Sequence, residues 1–272
     1  MRLLCFLSAF IVFNAPAQSV PIQLGGRSAG MGNASAAIAD EWAAYNNPGG
    51  LANTEEIALA CAYDLRPSLE GANRMGAALT LPASYGTMAF AIFKFGDDIY
   101  NEHLATAAYG HRIGITSLGA KVNYVQYLTG LFGSHYAFSF DFGGITKLTP
   151  NLSVGCYILN LAQAKLNTVV PQPLPTRMTA GLSYEISPHV RLSAEAEKNL
   201  SFVELHLRHG MEYNFRKQFF LRTGFNLSPN AGFMGIGLHK YGLKIDYAVS
   251  YSPVLLFTSQ ASVVYRLKKR RT

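Results

Sequence analysis

His206 and His209 are the first pair to test for chemistry, because two imidazoles three residues apart could hold a metal. On a strand that spacing turns them to opposite faces, so no metal is expected between them. The chain has 7 His and many serines, so Ser, His and Asp meet by chance, yet no nucleophile elbow or other ordered motif assembles them. Gly30-x-Gly32 lacks the preceding strand and the third glycine of a nucleotide cradle. We therefore read the chain as non-enzymatic, with no cofactor and no metal. More informative are charged residues that alternate with apolar neighbours: Lys121, Asp141, Arg177, Glu185, Arg222, Lys244 and Asp246, joined by Glu195, Arg208, Glu212 and Arg266. Both signs occur in similar number. A selective ion pore concentrates one sign at a constriction, whereas mixed signs point to salt bridges across a filled interior. A polar channel gated by a plug is the alternative.

The elements that would position these charges have a period of two. Ile57, Leu59, Cys61 and Tyr63 alternate with Ala58, Ala60 and Ala62, and Tyr136, Phe138, Phe140 and Phe142 alternate with Ala137, Ser139, Asp141 and Gly143. The pattern recurs from Arg177 to Ile186, from Leu243 to Tyr251 and from Ala261 to Leu267. One face therefore meets an apolar medium and the other a polar one. Runs of ~9–11 residues are long enough to cross a bilayer as tilted strands. Breakers at 82–84, 149–151, 187–189, 215–217 and 240–242 mark short turns. Longer breaks at 64–74, 96–102, 129–134, 162–176, 198–201, 226–231 and 252–255 mark loops at the other end. The expected fold is all-β: an outer-membrane barrel of about 14 antiparallel strands over residues 55–267, with both termini in the periplasm.

Composition agrees. Charged residues are 14% against ~25% in soluble domains, aromatics are 12%, and no run approaches the ~18 apolar residues of a spanning helix. Arg2, the apolar stretch 3–13 and Ala15-Pro16-Ala17 have the layout of a signal peptide, residues 1–17. Of the net charge of +7, Lys268, Lys269, Arg270 and Arg271 crowd into a basic tail, residues 268–272. Nucleic acid is not an expected partner. Cys61 and Cys156 fall among the outward apolar set and are read as small apolar residues. Residues 18–54 differ from the rest: rich in Gly and Ala, without strand period, with Asp40 placed to cap a helix over 41–46 that Pro48 ends. Small residues that pack closely inside a lumen suit a plug.

These residues carry a family pattern. Gly26-Arg27, Gly30-Met31-Gly32, Ala39-Asp40 and Tyr45-Asn46-Asn47-Pro48-Gly49-Gly50-Leu51 resemble the N-terminal region of the PorV/PorQ-like proteins, relatives of the FadL long-chain fatty-acid transporters. In both groups an Asn-Pro-Ala-type motif closes the plug segment; here it is Asn47-Pro48-Gly49, with glycine in the place of alanine. The likeness continues through Pro173-Leu174-Pro175, Gly210-Met211-Glu212-Tyr213, Leu221-Arg222-Thr223-Gly224 and Ile245-Asp246-Tyr247-Ala248. It implies a fourteen-stranded outer-membrane barrel with an N-terminal plug. PorV-type members are partners of the type IX secretion translocon of Bacteroidota, and FadL-type members pass hydrophobic molecules.

Two functions follow as expectations. The first is an accessory subunit of a large outer-membrane machine, for type IX secretion or barrel assembly, acting through its lipid-facing wall and its loops. The loop 162–176 is its candidate contact surface, because Pro171, Pro173 and Pro175 restrict the backbone and lower the ordering cost of binding. The second is a FadL-like transporter of small hydrophobic molecules, which needs an apolar pocket between plug and wall. The first is favoured, on the expectation that the inward set is poor in apolar residues and the outer loops are short.

Overall fold

The computed structural model describes residues 23–130, 133–167, 173–200 and 205–267. The leader 1–17, the tail 268–272, Pro171 and residue 204 lie outside the described residues. The first seven strands are β1 (Ile57–Leu65), β2 (Arg74–Ala83), β3 (Gly86–Gly96), β4 (Tyr100–Ile113), β5 (Thr116–Thr129), β6 (Gly133–Lys147) and β7 (Leu152–Leu159). The second seven are β8 (Arg177–Ser187), β9 (Val190–Asn199), β10 (Leu205–Phe215), β11 (Phe219–Leu227), β12 (Ala231–Lys240), β13 (Leu243–Ser252) and β14 (Leu256–Leu267). Each pairs antiparallel with its sequence neighbours, and β1 pairs with β14 from Ile57↔Leu267 to Leu65↔Ser259, so the sheet closes into a fourteen-stranded barrel.

Alternation decides the faces. In β1, Ile57, Leu59, Cys61, Tyr63 and Leu65 are exposed while Ala58, Ala60, Ala62 and Asp64 are buried; in β6, Phe138, Phe140 and Phe142 are exposed and Ser139 and Asp141 buried. A surface of exposed Leu, Ile, Phe and Tyr all round the wall is a liability in water and a match for acyl chains. Cys61 and Cys156 are free thiols on this outer face, on strands six places apart.

The structure departs from the sequence reading at three places. β1 starts at Ile57 rather than 55, because 48–53 form a 3-10 helix that delays it. A further short turn lies at Gly114-Ile115, between β4 and β5; Gly114 takes a left-handed φ of 60° there and no proline marks it. Residues 41–46 form consecutive turns instead of a helix. The Asp40 carboxylate does accept from Trp42 N at 3.0 Å, but the carbonyls of Ala44 and Tyr45 accept from Lys121 Nζ of the wall, outside any helical ladder. Among the described residues the one α-helix, α1, is the short Gly26–Gly30.

The fold yields a direct check. The barrel should run differently on a denaturing gel before and after boiling, since every strand is held on both sides. Phe140→Arg, near the middle of β6 on the outer face, should lower unfolding stability by about 2–4 kcal/mol in lipid, measured by denaturant titration in vesicles. Loss of gel-shift behaviour in the wild type, or a neutral Phe140→Arg, would contradict a lipid-facing wall.

Candidate functional site: a plugged lumen with an apolar pocket

Residues 23–54 lie against inward-facing side chains around most of the wall. Their fit depends on backbone meeting backbone. A Cβ added at Gly49 would sit 2.6 Å from Gly144 Cα, and one added at wall residue Gly235 would sit 2.9 Å from Gly30 Cα. Gly26, Gly30, Met31 and Gly32 run along β10–β14: Gly26 N donates to Ser262 Oγ at 2.8 Å, and Met31 is fully buried opposite Gly210 and Gly224. Gly32 has a left-handed φ of 66°.

Asn47-Pro48-Gly49 does structural work at the other side of the lumen. The Asn47 amide donates to Ala36 O at 2.6 Å within the segment and to Gly144 O at 3.1 Å in β6, while its oxygen accepts from Gly49 N at 3.0 Å. Pro48 then starts the 3-10 helix with its fixed φ and no unmet N–H. Glycine stands at 49 because the wall leaves no room for alanine.

Charges lock the segment to the wall. Arg27 donates to Glu212 at 2.6 and 2.9 Å and lies 3.6 Å from Asp40. Glu212 also accepts from Arg222 at 2.8 Å, and Arg222 reaches Asp246 at 2.7 Å, which takes His239 at 3.1 Å. Glu41 pairs with Lys244 at 3.0 Å and with Arg266. Glu195 accepts from the backbone N–H of Ser35 and Ala36 at 2.9 and 2.7 Å and pairs with Arg208. Lys121, fully buried, donates to Ala44 O at 3.0 Å and Tyr45 O at 3.3 Å and lies 3.4 Å from Asp141. Glu185 differs: it pairs with Arg191 near the short-turn end and is half exposed. The sequence placed these charges on the inward face but could not show that Arg27 and Glu41, from the segment before β1, complete their pairs.

The inward set is not poor in apolar residues, contrary to the sequence reading. Towards the long-loop end, above Lys121, the wall turns in Phe93, Leu104, Val125 and Tyr127, all buried. With Leu159, Leu174 and Pro175 they line a cavity of about 60 Å³ whose polar floor includes Asn123, Ser139 and Asp141, with Glu102 and Arg177 at its side. Stretches such as Ile92-Phe93 and Tyr124-Val125 are apolar on both faces, so alternation gives no contrast there. The roof comes from the loop between β7 and β8. Asn160 N donates to Asp141 at 2.7 Å, Asn160 Nδ2 donates to Leu174 O at 2.9 Å, and Leu161 N donates to Phe140 O at 2.7 Å. Of the prolines, Pro175 lines the cavity and Pro173 is exposed, bridged to Lys165. His206 faces inward, whereas His209 faces outward and stacks on Phe225 at 4.6 Å.

A closed fourteen-stranded wall, a segment packed inside it and an apolar pocket beyond that segment can be compared with solved barrels. The Pseudomonas putida toluene transporter TodX aligns over 92% of this chain and 98% of its own, at a TM-score of 0.67 and 12% identity. The Ralstonia pickettii toluene transporter TbuX aligns over 91% and 99%, at 0.66 and 14%. A Pseudomonas aeruginosa FadL homologue aligns over 88% and 97%, at 0.62 and 14%. The fold is that of the FadL-type outer-membrane channels. No protein-family model matches the sequence, and no curated protein does. The likeness of this FadL-like barrel to those structures is one of fold.

In this FadL-like barrel Glu41 is the anchor to test. Burial alone would raise its carboxyl, but Lys244 and Arg266 outweigh burial and hold it below the ordinary value. A lowered folded value means that its contribution is complete above the unfolded carboxylate range, ~4.3, and is lost as pH falls below it. Glu41→Gln leaves Lys244 and Arg266, both partly open to solvent, beside a neutral amide, and losing the charge-assisted hydrogen bonds costs about 1.5–3 kcal/mol. In planar bilayers Glu41→Gln should raise conductance at pH 7, and wild-type conductance should rise only when acid protonates Glu41 below the ordinary carboxylate range. Equal conductance of the two proteins at pH 7 would mean that Glu41 does not hold the segment in place.

Proposed function

We propose that this barrel is a non-enzymatic channel for small hydrophobic molecules across the outer membrane, with residues 23–54 as its plug, its short turns and termini in the periplasm and its long loops outside. The observation that carries this reading is the apolar cavity under the β7–β8 loop. Phe93, Leu104, Val125, Tyr127 and Leu174 offer a hydrocarbon what water does not, at about 25 cal/mol for each Å² of apolar surface removed from solvent. The solved barrels of the same fold include toluene transporters and a monoaromatic hydrocarbon channel, which supports the same substrate class here.

The cavity has about 60 Å³, well below the roughly 150 Å³ that accommodates benzene. Entry of an aromatic ring therefore requires Leu174 and its loop to yield. On the far side, Lys121 ties the cavity floor to the plug, since it holds Asp141 and the Ala44 and Tyr45 carbonyls together. A molecule that displaces Asp141 loosens one of the plug's fastenings.

The second reading, an accessory subunit of a secretion translocon or assembly machine with the 162–176 loop as its contact surface, is supported by the motif of residues 26–51. The pocket gives the channel the better support, which reverses the order of preference drawn from sequence. Uptake of toluene into proteoliposomes separates them. Val125→Asp should slow uptake about tenfold or more, because it buries an unpaired carboxylate in the path, and Leu174→Ala should speed it, with both variants still heat-modifiable. Uptake no faster than through protein-free vesicles, together with a membrane protein that co-purifies in mild detergent, would favour the accessory subunit.

A further inference from the structure

Among the described residues, the rim at the short-turn end is uneven. The β2–β3 turn has no cation, and the β4–β5 and β6–β7 turns contribute one each, Arg112 and Lys147. Between β10 and β13 three cations gather: Arg216, Lys217 and Lys240. No carboxylate occurs in residues 213–219 or 238–243, so among these residues nothing of opposite charge neutralises them. The two turns form one surface, because Phe219 pairs with Leu238 across the strands and His239 N donates to Gln218 O at 2.8 Å.

The cations stand beside rings. The Arg216 guanidinium lies 5.2 Å from the Phe215 ring centre, and Lys240 Nζ lies 4.9 Å from that of Tyr241. Phe219 and Leu238 continue the apolar wall directly behind them, and Tyr241 is 85% exposed. Arg216, Lys217 and Tyr241 take left-handed φ values of 52°, 57° and 53°. Glycine or asparagine would fill such turn positions with less strain, yet the chain places two cations and an aromatic there.

A patch that is apolar on its membrane side, aromatic at the boundary and cationic at the edge has the layering of a phospholipid turned inside out. Acyl chains match Phe219 and Leu238, the glycerol region matches Tyr241, and a phosphate matches the three cations. We infer that the β10–β13 sector of the short-turn rim binds an anionic glycerophospholipid of the adjoining leaflet through Arg216, Lys217 and Lys240. Charge complementarity selects an anionic headgroup over a zwitterionic one, whose own ammonium competes for the phosphate. The inference is independent of what the lumen transports. It rests on the short turns facing the periplasmic leaflet.

Native mass spectrometry of the folded barrel released from detergent tests it, with phosphatidylglycerol and phosphatidylcholine of the same acyl chains at equal concentration. The wild type should retain phosphatidylglycerol about tenfold more strongly. The triple variant Arg216→Gln/Lys217→Gln/Lys240→Gln, checked for folding by gel shift, should retain both lipids alike, while Arg112→Gln/Lys147→Gln should keep the preference. Equal retention by the wild type would overturn the inference, as would an undiminished preference in the triple variant. Displacement of the lipid by inorganic phosphate would reduce the patch to a simple anion site, and stronger retention of lipopolysaccharide than of phosphatidylglycerol would put this rim in the outer leaflet; either result overturns the inference.

Discussion

Inside a bilayer no water is available to satisfy a backbone N–H or C=O, so a sheet that enters one has to consume its own edges. The pairing of β1 with β14 over Ile57–Leu65 does this, and the rest of the molecule depends on it. Once the ring is closed, each strand has one face towards acyl chains and one towards a lumen, and the choice of residue at every position follows from that division. The large outward side chains and the small or charged inward ones are two consequences of one closure.

A ring of fourteen strands encloses more space than its inward side chains fill, and residues 23–54 pack into part of the remainder. Glycine facing glycine lets backbone approach backbone, as at Gly30 and Gly235, and charge pairs fix the azimuth. Such buried pairs add little net stability, because desolvation offsets attraction. They hold the segment to particular strands: Arg27 lies beside Glu212 of β10, and Glu41 between Lys244 of β13 and Arg266 of β14. Above that filled half, where Phe93, Leu104, Val125 and Tyr127 turn inward, the lumen is apolar and incompletely occupied.

Much of the wall was legible in the sequence, because a period of two leaves no ambiguity where one face is Phe or Tyr and the other Ala, Ser or Asp. The strand number and the inward position of Lys121, Asp141, Arg222 and Asp246 follow from it. Partnership was not legible: that Lys121 would serve the carbonyls of Ala44 and Tyr45, or that Glu195 would accept the N–H groups of Ser35 and Ala36, depends on contacts 76 to 160 residues apart. The pocket was hidden for a different reason, since Phe93 and Val125 each follow an outward apolar residue, Ile92 and Tyr124, so alternation gives no contrast between the faces there. The turns at 41–46 escaped because the Asp40 cap and Pro48 suit a helix locally, while Lys121 draws their carbonyls elsewhere.

The two thiols have a consequence for the order of events. Cys61 and Cys156 sit on strands β1 and β7, six places apart around a wall whose strands are spaced ~4.8 Å, far beyond the ~7 Å that a disulfide can bridge. A bond between them, made while the chain is still extended, would tie together two strands that closure must hold on opposite sides. Exposure to an oxidant before membrane entry is therefore a kinetic hazard for this chain, and burial of both thiols in acyl chains ends it. Insertion is then the step that protects the reduced state.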